Sequence, residues 1–263
     1  MATRGRDWTR EERILVMRLY CTIPFGRYHK GTKEVIALAT LLGRTPSSVA
    51  MKLNNLASLD PAHAARGVKG LPGASQGDRE TWAEFHADWT ALSVLSEELL
   101  AYLKHHGTLP DLTKTPEALV VTTTEYSGAT EAKREVAVRL AQRFFRRAVL
   151  AGYRGRCCIS NIAQKELLIA SHIIPWSTAP EHRANPQNGL CLSRLHDGAF
   201  DRGLITLDED LRLVLSRELA AACTNESLRT CFQNYEARPI TVPGRFLPDQ
   251  RFLAHHRERV FRA

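Results

Sequence analysis

Leu167-Leu168-Ile169-Ala170-Ser171-His172-Ile173-Ile174-Pro175-Trp176, a polar loop, and then Asn185-Pro186-Gln187-Asn188-Gly189-Leu190-Cys191-Leu192-Ser193 form the stretch that decides the fold. The first segment is rich in β-branched and apolar residues and is stopped by Pro175, so it predicts a strand whose end presents His172. Ser193 is placed to cap a following helix that carries His196, Asp197, Phe200 and Asp201, and Gly203 ends that helix. Upstream, Arg156-Cys157-Cys158-Ile159-Ser160-Asn161 predicts a short strand and a turn. Two strands, a loop and a helix, with histidine on the second strand and histidine or aspartate at the helix start, bring a base and a metal ligand together in little space.

Working outward, a long helix is predicted from about Thr130, because Val136, Leu140, Phe144 and Ala148 recur every four residues. Arg139, Arg143, Arg146 and Arg147 lie on its other faces. Residues 131–157 hold eight basic and two acidic side chains, so the stripe suits a phosphate backbone, or else forms a solvated face paired with nearby acids. Trp82, Phe85 and Trp89 belong to a helical pattern running to His106 and are expected to pack in a core. The segments 60–77 and 107–128, the second with the polar run Thr122-Thr123-Thr124-Glu125, are irregular and rich in Pro or Gly, and predict linkers.

At the N-terminus, Asp7 or Thr9 can cap a helix with Glu11 and Glu12 in its first turn. A second helix is predicted over Lys33–Leu42, ended by Gly43. Thr45-Pro46-Ser47-Ser48 then opens a third. Helix, glycine turn and helix is helix-turn-helix geometry, which would set Arg44, Ser47, Ser48 and Lys52 at the start and exposed side of a recognition helix, in reach of DNA. A three-helix packing unit with no ligand has the same pattern.

Composition agrees with an intracellular globular protein. There are 36 Lys and Arg against 28 Asp and Glu, a net charge of +8 that favours polyanionic partners and disfavours acidic ones. Apolar runs are far shorter than the ~20 residues of a membrane span, and Met1-Ala2-Thr3-Arg4-Gly5 leads into no apolar signal segment, so no membrane contact and a cytoplasmic location are expected. The six cysteines include no CxxC pair, so they are expected as reduced thiols, with neither a disulfide framework nor a structural zinc.

The order His172, Asn188, His196 resembles the HNH, or ββα-metal, endonucleases. More narrowly, Ser171-His172-Ile173-Ile174-Pro175, Asn188-Gly189-Leu190-Cys191-Leu192 and His196 with Phe200-Asp201-Arg202-Gly203 resemble their restriction-endonuclease-like subgroup, over about residues 155–215. The arginine helix and Phe252–Phe261 resemble that subgroup's flanking helices, and residues 1–125 lie outside the likeness. The residue patterns and the resemblance together imply an α+β chain: from the patterns, a mainly helical, helix-turn-helix-like module (1–59) and a linker and helical connector (60–128); from the resemblance, an HNH nuclease domain with flanking helices (129–263). The resemblance also implies phosphodiester hydrolysis of double-stranded DNA, with His172 as general base, Asn188 holding the loop, and one divalent cation per site, Mg²⁺ or Mn²⁺. Two departures leave the metal ligand open. Ser171 stands where many members have aspartate, and the helical histidine falls eight residues after the asparagine where nine is usual, which points to His196 or, in its place, Asp197, with Asp201 one turn further as a weaker candidate. Cutting both strands implies a homodimer. The activity expected is site-specific restriction; restriction that depends on a modified base such as methylcytosine, and DNA binding by a catalytically dead nuclease-like fold, are the alternatives.

Overall fold

The structure, a computed structural model, describes residues 6–65, 67, 73–114, 119 and 130–263. Most of the expected linker over 107–128 lies outside the described residues. The chain divides into two compact units, Met1–Ala148 and Val149–Ala263.

The first unit is helical. Helix α1 (Arg10–Thr22) opens with a capping box: Thr9 Oγ1 accepts from the Glu12 amide, and the Glu12 carboxylate accepts from the Thr9 amide. Helices α2 (Lys33–Leu41) and α3 (Pro46–Ala57) follow, the latter capped by Thr45 with Pro46 in its first turn. A short α4 (Pro61–Ala65) falls within the expected linker. The helical pattern running to His106 is two helices, α5 (Gln76–Ala87) and α6 (Trp89–His106). They break at Asp88, whose carboxylate caps α6 by accepting from the Ala91 amide at 2.9 Å.

Helices α5 and α6 pack on the helices before them. Arg10 pairs with Glu84, Arg18 with Glu97 and Lys52 with Asp78, tying α1 and α3 to α5 and α6. Phe85 and Trp89 are buried as expected, 5.7 Å apart, and both meet Phe144 of the long helix α7 (Thr130–Gly152) at 6.4 Å.

The second unit is built on a ββα core. Strand β1 (Leu168–His172) pairs antiparallel with β2 (Gly189–Ser193), with Leu168 opposite Ser193 and His172 opposite Gly189. Helix α8 (Arg194–Asp201) starts directly after β2, capped by Ser193 Oγ accepting from the His196 amide. The expected strand at Arg156–Asn161 is instead a turn: Cys157 and Cys158 donate their amides to Ile162 and Cys191 carbonyls, and Asn161 sits at φ 60°. The chain there is too short and too curved to pair along its length.

A hairpin, β3 (Ile205–Leu207) with β4 (Leu213–Leu215), follows. Gly203 makes the turn into it at φ 70°, where a Cβ would collide with the Val260 carbonyl, so only glycine fits. Short helices α9 (Arg217–Ala222) and α10 (Glu226–Cys231) lead to the closing α11 (Gln250–Arg259), which packs on β3.

Candidate active site

His172 ends β1 because Ile173 and Ile174 turn into the core and Pro175, lacking an amide hydrogen, cannot continue the ladder. Its Nε2 lies 2.9 Å from the Arg183 carbonyl. A carbonyl only accepts, so Nε2 carries the hydrogen and Nδ1 is the basic nitrogen of the neutral ring. Burial lowers the His172 pKa, against the opposing pull of the Arg183 carbonyl, and the ring is neutral at pH 7. Trp176 meets it edge-on at 5.3 Å.

Asn188 is buried at 1% exposure and works entirely on the backbone. Its Oδ1 accepts from the Ile174 amide at 2.8 Å, and its Nδ2 donates to the Ile174 and His182 carbonyls at 3.2 and 3.4 Å. The Ile173 amide donates to the Asn188 carbonyl at 3.0 Å. One side chain thus pins the segment after His172 to the segment before β2.

The helix that follows separates its two ligand candidates. His196 and Phe200, four residues apart, share the core face of α8, each 2% exposed. His196 Nε2 donates to the Cys231 carbonyl at 2.9 Å, and Nδ1 lies 2.8 Å from Ser193 Oγ and 3.6 Å from Cys157 Sγ. Asp197 and Asp201, also four apart, share the adjoining face and line a cavity of about 460 Å³ together with Ser171, His172 and Trp176. His196 is not among the residues lining it. The structure therefore brings Asp197 and Asp201 together with His172 and leaves His196 in the packing beneath.

Burial raises the pKa of both carboxylates. For Asp197 the Ser171 hydroxyl and the Arg194 and Arg202 charges oppose the rise, whereas Asp201 is raised further by the charge of Asp197. Ser171 Oγ is buried beside Asp197, near enough to favour its charged form but with no hydrogen bond of ordinary geometry. Two repelling carboxylates beside an unsatisfied hydroxyl are a hard-oxygen donor set, and a divalent cation would relieve the repulsion. Among the described residues no three His, Cys, Asp or Glu side chains cluster closely enough to hold an ion by themselves. This donor set fits Mg²⁺, which commonly takes one or two carboxylates and completes its shell with water and substrate phosphate.

Cys157 is not an ordinary buried thiol. Burial pushes it up, but hydrogen bonds with His196 and Ser160 outweigh that and bring it down to about 6. All six cysteines are free. His256 of α11 stacks on Phe200 at 3.7 Å and bridges Thr206 Oγ1 and the Phe200 carbonyl, holding α8 against β3.

The candidate DNA contacts divide sharply. Arg44 and Lys52, expected on the exposed side of α3, are buried at 6% and 8% exposure. Arg44 is bound to Glu12 and stacks over Trp8 at 3.9 Å, and Lys52 pairs with Asp78 at 2.9 Å. Ser47 is exposed and Ser48 half-buried. On α7, Arg139 pairs with Glu135 four residues before it, Arg143 and Arg146 are exposed, and Arg147 lies 3.5 Å from Glu97.

Residues 157–208 match the family model for HNH endonuclease, a span that takes in β1, β2, α8 and β3 and every cavity residue named above. No curated protein matches the chain. The matched domain supports nuclease activity on DNA, and members of that family generally use a divalent metal. No helix among the described residues is long and apolar enough to cross a membrane.

Proposed function

We propose that the protein is a divalent-metal-dependent endonuclease of double-stranded DNA, with restriction as its role. The observation that carries this reading is the shared cavity of His172, Asp197 and Asp201 inside the span that matches the HNH endonuclease model. His172 is the general base: its Nε2 hydrogen is committed to the Arg183 carbonyl, and Nδ1 takes the proton of the attacking water. Asn188 is the positioning residue that keeps His172 in register. Asp197, supported by Asp201, would hold the cation, Mg²⁺ or Mn²⁺, whose bound charge stabilises the phosphorane-like transition state and the leaving oxygen. His196 fixes α8 to the strands and the Cys231 segment.

Hydrolysis of both strands needs two such sites, which supports a homodimer. The net charge of +8 and the exposed Arg143 and Arg146 support duplex binding through phosphates. Sequence choice needs base contacts, and on α3 the exposed Ser47 is placed for them while Arg44 and Lys52 are committed to ion pairs. Incubation with supercoiled plasmid in Mg²⁺ or Mn²⁺, against an EDTA control, tests the proposal. Conversion to nicked and linear forms only with metal is expected; an intact plasmid across both metals and several salt concentrations overturns it.

A further inference from the structure

A cavity in the first unit, remote in sequence from the nuclease site, has the build of a ligand site. It encloses about 600 Å³ between α1, α2, α6 and α7. Its walls are aliphatic, with Leu15, Leu38, Leu100 and Leu140 among them, and the small exposed residues Ala37 and Ala101 also line it. Small-molecule sites fall in this size range and combine apolar walls with a few fixed polar groups.

The polar groups here are unbalanced in sign. Arg18, Lys104, Arg143 and Arg147 all line the cavity, against Glu34 and Glu97. Glu34 is engaged by Arg27. Glu97, 7% exposed, is shared by Arg18 at 2.7 Å and Arg147 at 3.5 Å, so two guanidinium groups press on one carboxylate. Burial makes the Arg18 charge costly, and the nearby Arg147 charge adds to the cost. Arg143 and Lys104 have no carboxylate partner among the described residues. Lys104, Arg143 and Arg147 are exposed at the cavity's mouth, so their excess positive charge suits an anionic head held beside the leucine walls. A DNA backbone would satisfy the cations but leave the leucine walls wet.

We propose that this cavity binds a small organic anion, a phosphate or carboxylate head on an apolar body. The head would sit among Arg143, Arg147 and Lys104, and the body against the leucines.

Titration calorimetry of the full chain with decyl phosphate, below its micelle concentration, tests this, with inorganic phosphate and 1-decanol as half-ligand controls. Saturable one-to-one binding of decyl phosphate is expected, with either control weaker by about tenfold or more. The double variant Lys104→Ala/Arg143→Ala should weaken decyl phosphate by about tenfold or more, as expected for lost charge-assisted contacts. Ala101→Trp, at an exposed lining residue, should weaken it while leaving every charge in place. Absence of binding, several equivalent sites, equal affinity for decanol, or unchanged affinity in both variants would overturn the proposal. So would loss of duplex binding in Lys104→Ala/Arg143→Ala with no decyl phosphate binding by the parent, which would assign these cations to the DNA backbone.

Discussion

Replacing Arg44 with alanine should unfold the N-terminal unit more readily and leave DNA binding by the folded protein unchanged. The guanidinium donates to both Glu12 oxygens, Nε to Oε1 at 3.0 Å and Nη2 to Oε2 at 2.7 Å. It also donates to the Asp7 and Arg6 carbonyls at 2.7 and 3.2 Å, which anchors the chain ahead of α1. Removing it leaves Glu12, 1% exposed, with Arg6 as its remaining cation. Breaking a buried pair from one side costs about 3–5 kcal/mol, and the surviving Arg6 contact places this case near about 3. Urea unfolding monitored by tryptophan fluorescence, to which Trp8, Trp82 and Trp89 of this unit contribute, reads the loss. With a slope of about 2 kcal/mol per molar, the midpoint should fall by about 1.5 M. A midpoint shift within about 0.3 M, together with weaker duplex binding and a shallower salt dependence, would refute the buried-pair account and restore Arg44 as a phosphate contact.

Further outcomes follow from the second unit. Asp197→Asn should abolish metal-dependent cleavage while His196→Gln keeps it at temperatures where the variant is folded; the reverse ranking in a plasmid assay would return the ligand role to His196. The rate should rise with pH through the His172 pKa, which lies below the usual histidine value, and be flat near neutrality, since the neutral ring is the active form; a rate that falls from pH 6 to 7 would contradict this. His256, lowered by burial to about 4, binds a proton more weakly when folded than when unfolded. Its stabilising contribution is therefore full above the unfolded value of about 6.5 and is lost as pH falls from there toward about 4, to a total of about 3 kcal/mol. Urea midpoints of the parent and His256→Gln between pH 7 and 4.5 check it, and parallel declines in the two would remove His256 as the cause.

Much of the site was legible before the fold was known. Pro175 marked the end of β1 and so placed His172, and Ser193 and Gly203 marked the two ends of α8. The helix phase was also available: Phe200 is a core residue by its chemistry, His196 lies one turn before it, and Asp197 and Asp201 then fall together on the next face. The count from Asn188 pointed the same way, since nine residues on from it is Asp197. The role of Arg183 was not legible, because it acts on His172 through a backbone carbonyl that any residue could supply. Ser171 was a poor ligand on sequence, and its buried, unpartnered hydroxyl beside Asp197 emerges only in three dimensions. Arg44 and Lys52 misled because a basic residue beside a helix start looks exposed until its acid is found, and Asp78 is far along the chain from Lys52. The strand expected at Arg156–Asn161 failed for a local reason, a turn closed by Asn161 at positive φ.

The most direct test of the central claim is the single-turnover cleavage rate of His172→Ala beside the parent, on one plasmid in Mg²⁺, with duplex affinity measured on the same preparations. Loss of the general base while the phosphate contacts remain predicts a rate lower by about 10² or more with affinity unchanged. Cleavage by His172→Ala at the parental rate would contradict the assignment of this cavity as the nuclease site.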